Sequence, residues 1–197
     1  MDDLASIAVL ASGNGTNLQA IIDACESGEL RAKVELVVSN KSDAFALERA
    51  EKSEIRNEVQ LANHANRRDY DIELAKTVSQ IDPDLVVLAG WNRLLTREFL
   101  SNFVVVNIHP ALPGAFPGLG AIEKSFLAGL NGDVASGGVM VHYVPDEGVD
   151  DGPVIETGEV PFIEGETLQD FEGRVHKVEH EIFVKAISHA LSEMFPV

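Results

Sequence analysis

The stretch IAVLASGNGTNLQAIIDAC, residues 7–25, decides the fold of this chain. It begins with five apolar residues, Ile7–Ala11, which are typical of a buried strand. From Asn17 to Glu26, apolar residues recur three or four positions apart, as one face of a helix requires. Two glycines separate the segments, and glycine permits the tight turn that joins a strand directly to a helix. The stretch therefore predicts the first strand and helix of an α/β fold.

The alternation of an apolar strand with a helix continues through the first half of the chain. Because the strand-like runs are apolar throughout, and not only at every second residue, both faces of each strand are expected to be buried. The sequence thus predicts an α/β fold with a single doubly wound, mostly parallel sheet and helices on both faces. The further strands are expected at Val34–Val38, Leu85–Ala89 and Val104–Val106, with a short extended piece at Glu58–Gln60, and the helices at Phe45–Lys52 and Arg68–Gln80.

The second half has a different pattern. Gly137–Val144 and Val154–Val160 predict two strands joined by a short polar loop, which would add antiparallel strands to the sheet. A long closing helix is expected over Thr167–Met194, with its first residue as the N-cap and Asp170 at its third helical position. The sequence contains no repeat, low-complexity stretch or linker, so a single domain over residues 1–197 is expected.

Composition and charge limit the partners. The formal net charge of −17 repels nucleic-acid backbones and anionic membranes, so no nucleic-acid or membrane partner is expected. The one cysteine, Cys25, allows no intramolecular disulfide. The acidic start, Met1–Leu4, is unlike a secretory signal, which begins with positive charge. A cytoplasmic location is expected, and the sequence predicts no particular oligomeric state.

The turn after the first strand, Ser12–Leu18, suits an anion. Glycine lets the backbone approach a ligand closely, and the free N–H groups at a helix start, with the helix dipole, attract negative charge. The turn lacks the third glycine of dinucleotide-binding loops and the Gly-Lys-Ser/Thr of P-loops, which favours a monophosphate. A simple strand-to-helix turn capped by Asn or Thr is the alternative.

A polar pair follows the strand Val104–Val106. Asn107 and His109 are two residues apart, so they point to the same side of an extended chain, at the end of a parallel strand where open α/β sheets place ligands. An amide and an imidazole there can stabilise a developing oxyanion, and a histidine buried for structural reasons is the alternative. A carboxylate from the polar loop Asp146–Pro153 would raise the pKa of His109. The Gly/Pro-rich segment Pro110–Gly120 has the length of a functional loop.

Four segments, in order along nearly the whole chain, carry a family resemblance. They are SGNGTNLQAI at residues 12–21, AGWNRLL at 89–95, NIHP at 107–110 and VDDGPVI at 149–155. In these segments the chain resembles glycinamide ribonucleotide formyltransferases, a folate-dependent family of purine biosynthesis. The resemblance implies the formyltransferase fold and transfer of the formyl group of 10-formyltetrahydrofolate to the amine of glycinamide ribonucleotide. It implies neither a metal nor a covalent enzyme intermediate.

The resemblance also implies roles for particular residues. The implied catalytic residues are Asn107, His109 and Asp150: the amide and the imidazolium stabilise the tetrahedral oxyanion, and the carboxylate orients the ring and keeps it protonated. The substrate phosphate is implied to bind at Gly15, Thr16 and Asn17, with the carboxylate of Glu179 near the glycinamide amine. Folate is implied to bind at Arg67, Asn92, Arg93, Leu94, Leu95 and Asn107.

The chain departs from the family pattern at three places. The segment after His109 is Pro110-Ala111-Leu112-Pro113-Gly114, Gly120 stands where a histidine is common, and one residue is added within Asp146–Asp150. The second change concerns secondary polar contacts, and the others concern the shape of loops. All three leave the implied catalytic residues in place.

Other activities stay open on the sequence. The segment His176-Lys177-Val178-Glu179-His180 matches the H-x-x-E-H pattern of inverted zinc peptidases, in which two histidines one helical turn apart ligate zinc. Hydrolysis of formyltetrahydrofolate, or formyl transfer to another amine, are alternatives within the same fold. Transfer to a charged tRNA is disfavoured by the net charge of −17.

Overall fold

The computed structural model describes residues 4–61 and 66–195, so Met1–Asp3 of the acidic start lie outside the described residues. Within these ranges, seven strands form one sheet: β1 (Ala5–Leu10), β2 (Ala32–Ser39), β3 (Asn57–Val59), β4 (Leu85–Leu88), β5 (Val105–His109), β6 (Ser136–Tyr143) and β7 (Val154–Pro161). The helices are α1 (Thr16–Ser27), α2 (Phe45–Lys52), α3 (Arg67–Ser79), α4 (Arg97–Leu100), α5 (Ala121–Leu130) and α6 (Leu168–Met194).

Every strand and helix predicted from the sequence is present, with bounds that differ by a few residues. The prediction was incomplete at two helices, α4 and α5, and β5 continues through His109 where the prediction ended the strand at Val106. The longer β5 matters for function because it places Asn107 and His109 on a regular strand.

The sheet order is β3-β2-β1-β4-β5-β6-β7. The pairings from β3 to β5 are parallel, and β6 and β7 add to the β5 edge as antiparallel strands, as the sequence predicted. The chain winds outward from β1 to β2 and β3, then returns to place β4 on the other side of β1. Ligands bind at such a switch point in open α/β sheets, outside the carboxyl ends of the strands.

Both faces of the sheet are covered, and β1 shows why. Ile7 and Val9 pack into a core cluster with α1, α2, α5 and α6, whereas Ala8 and Leu10 pack into a second cluster with α3 and α4. Successive side chains of a strand point to opposite faces, so a strand buried on both faces must be apolar throughout. The doubly wound sheet predicted from the apolar runs is thereby confirmed.

The long helix α6 begins with a capping box. The Thr167 side chain accepts a hydrogen bond from the backbone N–H of Asp170 at 3.2 Å, and the Asp170 carboxylate accepts one from the N–H of Thr167 at 3.2 Å. These reciprocal bonds fix where the helix starts. The cap thereby sets which side chains of α6, two turns later, face the sheet. No helix in the described ranges has the length and apolarity to cross a membrane.

Candidate active site

A cleft of about 570 Å³ opens at the carboxyl ends of β1, β4 and β5. This volume is ordinary for a small-molecule site. Its walls are residues 13–17, 88–95, 107–110 and 118–121, with further side chains from the segment after β6 and from α6. The residues Gly15, Thr16, Asn17, Asn92, Arg93, Leu94, Leu95, Asn107, His109, Asp150 and Glu179, all expected at a site from the sequence, line this cleft.

The turn between β1 and α1 forms one end of the cleft. Gly15 is the N-cap of α1 in a left-handed conformation with φ of 75°, and as a glycine it has no side chain to cap the first-turn N–H groups. Asn17 is nine-tenths buried, and its Oδ1 atom has no hydrogen-bond partner within the described chain. The N–H groups at the start of α1, which have no side-chain cap, are the donors that an anion would meet in the cleft, whereas the Asn17 oxygen is an acceptor.

The segment after β4 forms the wall beside this turn. The Ser12 hydroxyl accepts a hydrogen bond from Asn92 N–H at 2.9 Å, and the backbone N–H of Ser12 donates to the Gly90 carbonyl at 3.0 Å. Farther along, the buried carboxylate of Asp71 accepts a hydrogen bond from Thr96 N–H at 2.5 Å. Burial raises the pKa of Asp71, and the Thr96 N–H opposes that shift. Ser12 and Asp71 thus anchor the two ends of the wall.

Arg67 differs from the other expected residues, because it is not among those that line the cleft. Its Nη2 atom lies 2.6 Å from Oε2 of Glu147, and the other oxygen of Glu147 accepts a hydrogen bond from Arg97 N–H at 3.1 Å. Arg67 therefore ties the loop after β6 to the helices α3 and α4. A direct contact between Arg67 and a ligand would require its ion pair with Glu147 to open.

The central polar group combines β5 with the loop between β6 and β7. Asn107 Nδ2 donates to Oδ1 of Asp150 at 3.2 Å, and His109 Nδ1 lies 3.3 Å from Oδ2 of the same carboxylate. The Gly118 N–H also donates to Oδ2 of Asp150, at 2.8 Å. The three side chains expected to be catalytic therefore meet at one carboxylate. The Gly/Pro-rich loop after β5 takes part through Gly118.

The protonation of His109 corrects one expectation from the sequence. Burial lowers the pKa of His109 below its ordinary value of 6.5, and the Asp150 carboxylate, which was expected to raise it, offsets only part of that effect. His109 Nε2 lies 3.1 Å from the carbonyl oxygen of Phe116. Since a carbonyl only accepts, this nitrogen carries the hydrogen. Burial and the Asp150 carboxylate therefore act on the charged ring in opposite directions.

His142 joins this group, although its alternation with apolar residues in the sequence favoured a structural role over a place in the site. It is buried on β6, where its Nδ1–H donates to the Tyr143 carbonyl at 2.8 Å, and its Nε2 lies 3.2 Å from Asn107 Nδ2 and 3.6 Å from Oδ1 of Asp150. This contact follows from the register of the antiparallel strands β5 and β6, in which His142 lies directly opposite Asn107. Because β5 and β6 are separated by a long segment that includes α5, their register is not legible from local sequence.

The helix α6 adds an acid and a histidine to the lining of the cleft. His176 Nδ1 lies 2.6 Å from Oε2 of Glu179, whose side chain is buried, and this hydrogen bond raises the pKa of His176. In the zinc-peptidase interpretation, His176 and His180 would instead bind a metal with a third ligand. Among residues 4–61 and 66–195 no group of three or more His, Cys, Asp or Glu is placed to do so.

Known proteins resemble this chain over nearly its whole length. A family described as "Formyl transferase" matches residues 5–187. The phosphoribosylglycinamide formyltransferases of Dictyostelium discoideum and Escherichia coli are each 42% identical to it; the alignments cover 92% and 93% of this chain, and 96% and 85% of theirs. A crystal structure of glycinamide ribonucleotide transformylase 1 from Symbiobacterium toebii superposes with a TM-score of 0.90 at 38% identity, covering 98% of this chain and 90% of that one. The chain belongs to the formyl transferase family.

Proposed function

We propose that this protein transfers the formyl group of 10-formyltetrahydrofolate to the amine of glycinamide ribonucleotide, a step of purine biosynthesis. The observation that carries the proposal is that an anion-binding turn and the polar group of Asn107, His109 and Asp150 share one cleft. The named relatives, which align with this chain almost end to end, support the choice of acceptor. The proposal assigns the whole chain, residues 1–197, to a single formyltransferase domain in the cytoplasm.

The two substrates are assigned to opposite ends of the cleft. The phosphate binds at Gly15, Thr16 and Asn17, where backbone donors at the helix start face the cleft. The buried carboxylate of Glu179 lines the same cleft and holds the glycinamide portion. Folate lies along the wall formed by Asn92, Arg93, Leu94 and Leu95, which Ser12 and Asp71 anchor. Arg67 reaches the folate only after its ion pair with Glu147 opens.

The chemical step places the formyl carbon next to Asn107 and His109. The glycinamide nitrogen attacks that carbon, so a C–N bond forms while the formyl oxygen takes up negative charge. The Nε2–H of His109 and the amide N–H of Asn107 donate to this oxygen, as in other oxyanion holes. In this structure both donors have partners within the protein. His109 Nε2 contacts the Phe116 carbonyl, and Asn107 Nδ2 contacts Asp150 and His142. The substrate oxygen therefore replaces these partners.

Collapse of the tetrahedral intermediate breaks the bond between the formyl carbon and the folate nitrogen. The amine proton must move to that nitrogen, and Asp150 is the acceptor nearest to the reacting atoms that can pass it on through a water molecule. As the oxyanion develops beside His109, its negative charge favours the imidazolium and opposes the effect of burial on the ring's pKa. The developing negative charge thus strengthens the hydrogen bond that His109 donates, and the amine proton is left for the folate nitrogen.

The test is an assay of formyl transfer to glycinamide ribonucleotide, run beside a reaction with the folate alone. We expect acceptor-dependent formylglycinamide ribonucleotide, and a loss of about a hundredfold or more in His109→Ala and Asp150→Ala. His189→Ala is the matched control, because His189 is a half-exposed histidine on α6 that does not line the cleft. Circular dichroism and thermal unfolding verify that the variants are folded.

Three results would contradict the proposal. Consumption of the folate without an acceptor identifies a hydrolase. Turnover only with a different amine identifies another acceptor. A folded protein that turns over neither the folate alone nor the folate with an amine excludes the proposed reaction.

A further inference from the structure

The anion-binding turn is supported from behind by the short helix α2. Ala46 N–H donates to the Gly13 carbonyl at 3.1 Å, and Arg49 Nε donates to the Asn14 carbonyl at 2.8 Å. In a planar trans peptide, a carbonyl and the following N–H point in opposite directions. Because α2 holds these two carbonyls, the N–H groups of Asn14 and Gly15 point away from α2.

The cleft lies on the side to which those N–H groups point. Residues 13–17 line it, whereas none of the described residues of α2 does. The hydrogen bonds that α2 donates to the two carbonyls of the turn therefore fix the orientation of the two N–H groups that face the cleft. The same turn would otherwise be free to rotate its peptides, since glycine occupies two of its positions.

Arg49 makes the larger part of this support. Besides the Asn14 carbonyl, its guanidinium donates to the Asn14 side-chain oxygen at 3.0 Å and to Gln19 Oε1 on α1 at 3.2 Å. The group also lies over the ring of Phe45, 4.9 Å from its centroid. One planar group thus connects the turn, the first turns of α1 and the helix α2. Lysine cannot reproduce such a fork, because its ammonium is a single point.

Close packing leaves little space between the turn and α2. A Cβ atom added to Gly15 would lie 2.8 Å from Cα and Cβ of Ala46 and 3.3 Å from Cδ of Arg49. A displacement of Arg49 would therefore also displace Gly15. The guanidinium also puts a positive charge behind the turn, in a chain whose formal net charge is −17.

We propose that Arg49 is a positioning residue for substrate binding: through the Asn14 carbonyl and side chain it orients the backbone donors that bind the phosphate. The inference rests on the proposed function for the identity of the acceptor, but the anion-binding role of the turn can be tested separately. It predicts that loss of Arg49 weakens phosphate recognition and spares the binding of folate at the other end of the cleft.

The experiment compares Arg49→Met, Arg49→Lys and Lys52→Met with the wild type. Lys52 is the matched control, since it lies on the same helix, also stacks on Phe45 at 5.3 Å, and does not line the cleft. Titration with inorganic phosphate is followed by the amide NMR shifts of the turn, and the KM values for both substrates and kcat are measured by the formyl-transfer assay.

We expect Arg49→Met to raise the phosphate Kd and the KM for glycinamide ribonucleotide about tenfold, the size of one lost charge-assisted hydrogen bond. The KM for the folate and kcat should change less than about twofold. Arg49→Lys should fall between wild type and Arg49→Met, since it keeps the charge without the fork. Lys52→Met should behave as wild type.

Other outcomes separate the two proposals. Equal phosphate affinity in wild type and Arg49→Met, or equal weakening in Arg49→Met and Lys52→Met, overturns the role of Arg49. The role is also overturned if the wild type binds no phosphate at the turn, or if Arg49→Met loses folate binding and thermal stability together with phosphate binding. Phosphate binding that depends on Arg49, in a wild type that does not formylate glycinamide ribonucleotide, would contradict the proposed function alone.

Discussion

Nδ1 of His109 lies 3.3 Å from Oδ2 of Asp150, and burial nevertheless lowers the pKa of His109 below its ordinary value. The carboxylate favours the imidazolium and opposes the desolvation of the ring. Asp150→Asn removes that charge and keeps the shape of the side chain. We therefore expect the pKa of His109 to fall further in this variant, as measured by NMR titration of the ring protons.

The same variant should lower kcat by about a hundredfold or more, the usual size of an acid–base contribution. His189→Ala is the control for kcat, which it should leave unchanged, because His189 is half exposed and does not line the cleft. A His109 titration that is unchanged in Asp150→Asn would show that the carboxylate does not influence the ring.

The wall along which we place the folate depends on the buried carboxylate of Asp71. Asp71→Ala leaves Thr96 N–H without its acceptor, which should cost about 1–3 kcal/mol of folding free energy. The segment Arg93–Thr96 should then shift, so we expect the KM for the folate to rise about tenfold while the KM for the phosphate-bearing substrate is kept. Denaturant unfolding and steady-state kinetics measure the two effects.

Asp71→Asn tests whether the wall depends on the hydrogen bond to Thr96 or on the charge of Asp71. Its amide oxygen can still accept from Thr96 N–H, and it removes a charge whose burial is unfavourable, as the raised pKa of Asp71 indicates. It should therefore retain both stability and folate KM. If the Asn and Ala variants lose folate binding equally, the hydrogen bond to Thr96 is not what holds the wall.

The sheet was predictable because its strands are buried on both faces, so each strand stood out as a continuous apolar run. The helix α5 was not predictable in this way. It buries Ala121, Ser125 and Phe126, and it carries Gly129 in its last turn, so its apolar stripe is short and interrupted. It also follows a Gly/Pro-rich segment that predicts a loop. Only its packing against β6 and α6 explains the helix.

The candidate site was predictable where local rules suffice. The spacing of Asn107 and His109, and the glycine turn before α1, need only the period of a strand and the conformations open to glycine. The contacts of His142 and Arg49 depend instead on the register of β6 and on the position of α2. The effect of Asp150 on the pKa of His109 was predicted with the right sign, but burial outweighs it, and the depth of burial was not legible in the sequence.

The pair of His176 and Glu179 should make stability depend on pH. The hydrogen bond that His176 donates to Glu179 raises the folded-state pKa of His176 above its ordinary value of 6.5, so the charged form is favoured by folding. This contribution is complete below about pH 6.5 and is lost as pH rises through the folded-state pKa. The wild type should thus exceed His176→Gln in unfolding free energy near pH 6, and the difference should shrink near pH 9.

The expected difference is at most about 1 kcal/mol, because the His176 side chain is 48% exposed and solvent screens the pair. Urea unfolding at the two pH values measures it. A difference that grows toward high pH would contradict the assigned direction.

The turn requires glycine at position 15 both for its left-handed backbone conformation and for the lack of space for a side chain. Gly28 has the same conformation with free space around it, so it distinguishes the two reasons. Gly15 and Gly28 both adopt left-handed conformations, with φ of 75° and 79°, at the two ends of α1. A side chain in that conformation costs about 1–2 kcal/mol at either position. A Cβ at Gly15 would also collide with Ala46, whereas one at Gly28 would meet no atom within 4 Å.

Both Gly15→Ala and Gly28→Ala should therefore reduce the unfolding free energy, with the larger loss at Gly15. Only Gly15→Ala should displace the turn from α2 and raise the KM for glycinamide ribonucleotide, by about tenfold or more, since small displacements of a binding group are costly. Denaturant unfolding and steady-state kinetics on the two variants separate strain from displacement. A Gly15→Ala variant that loses stability but keeps its KM would show that phosphate binding does not need the turn pressed against Ala46 and Arg49.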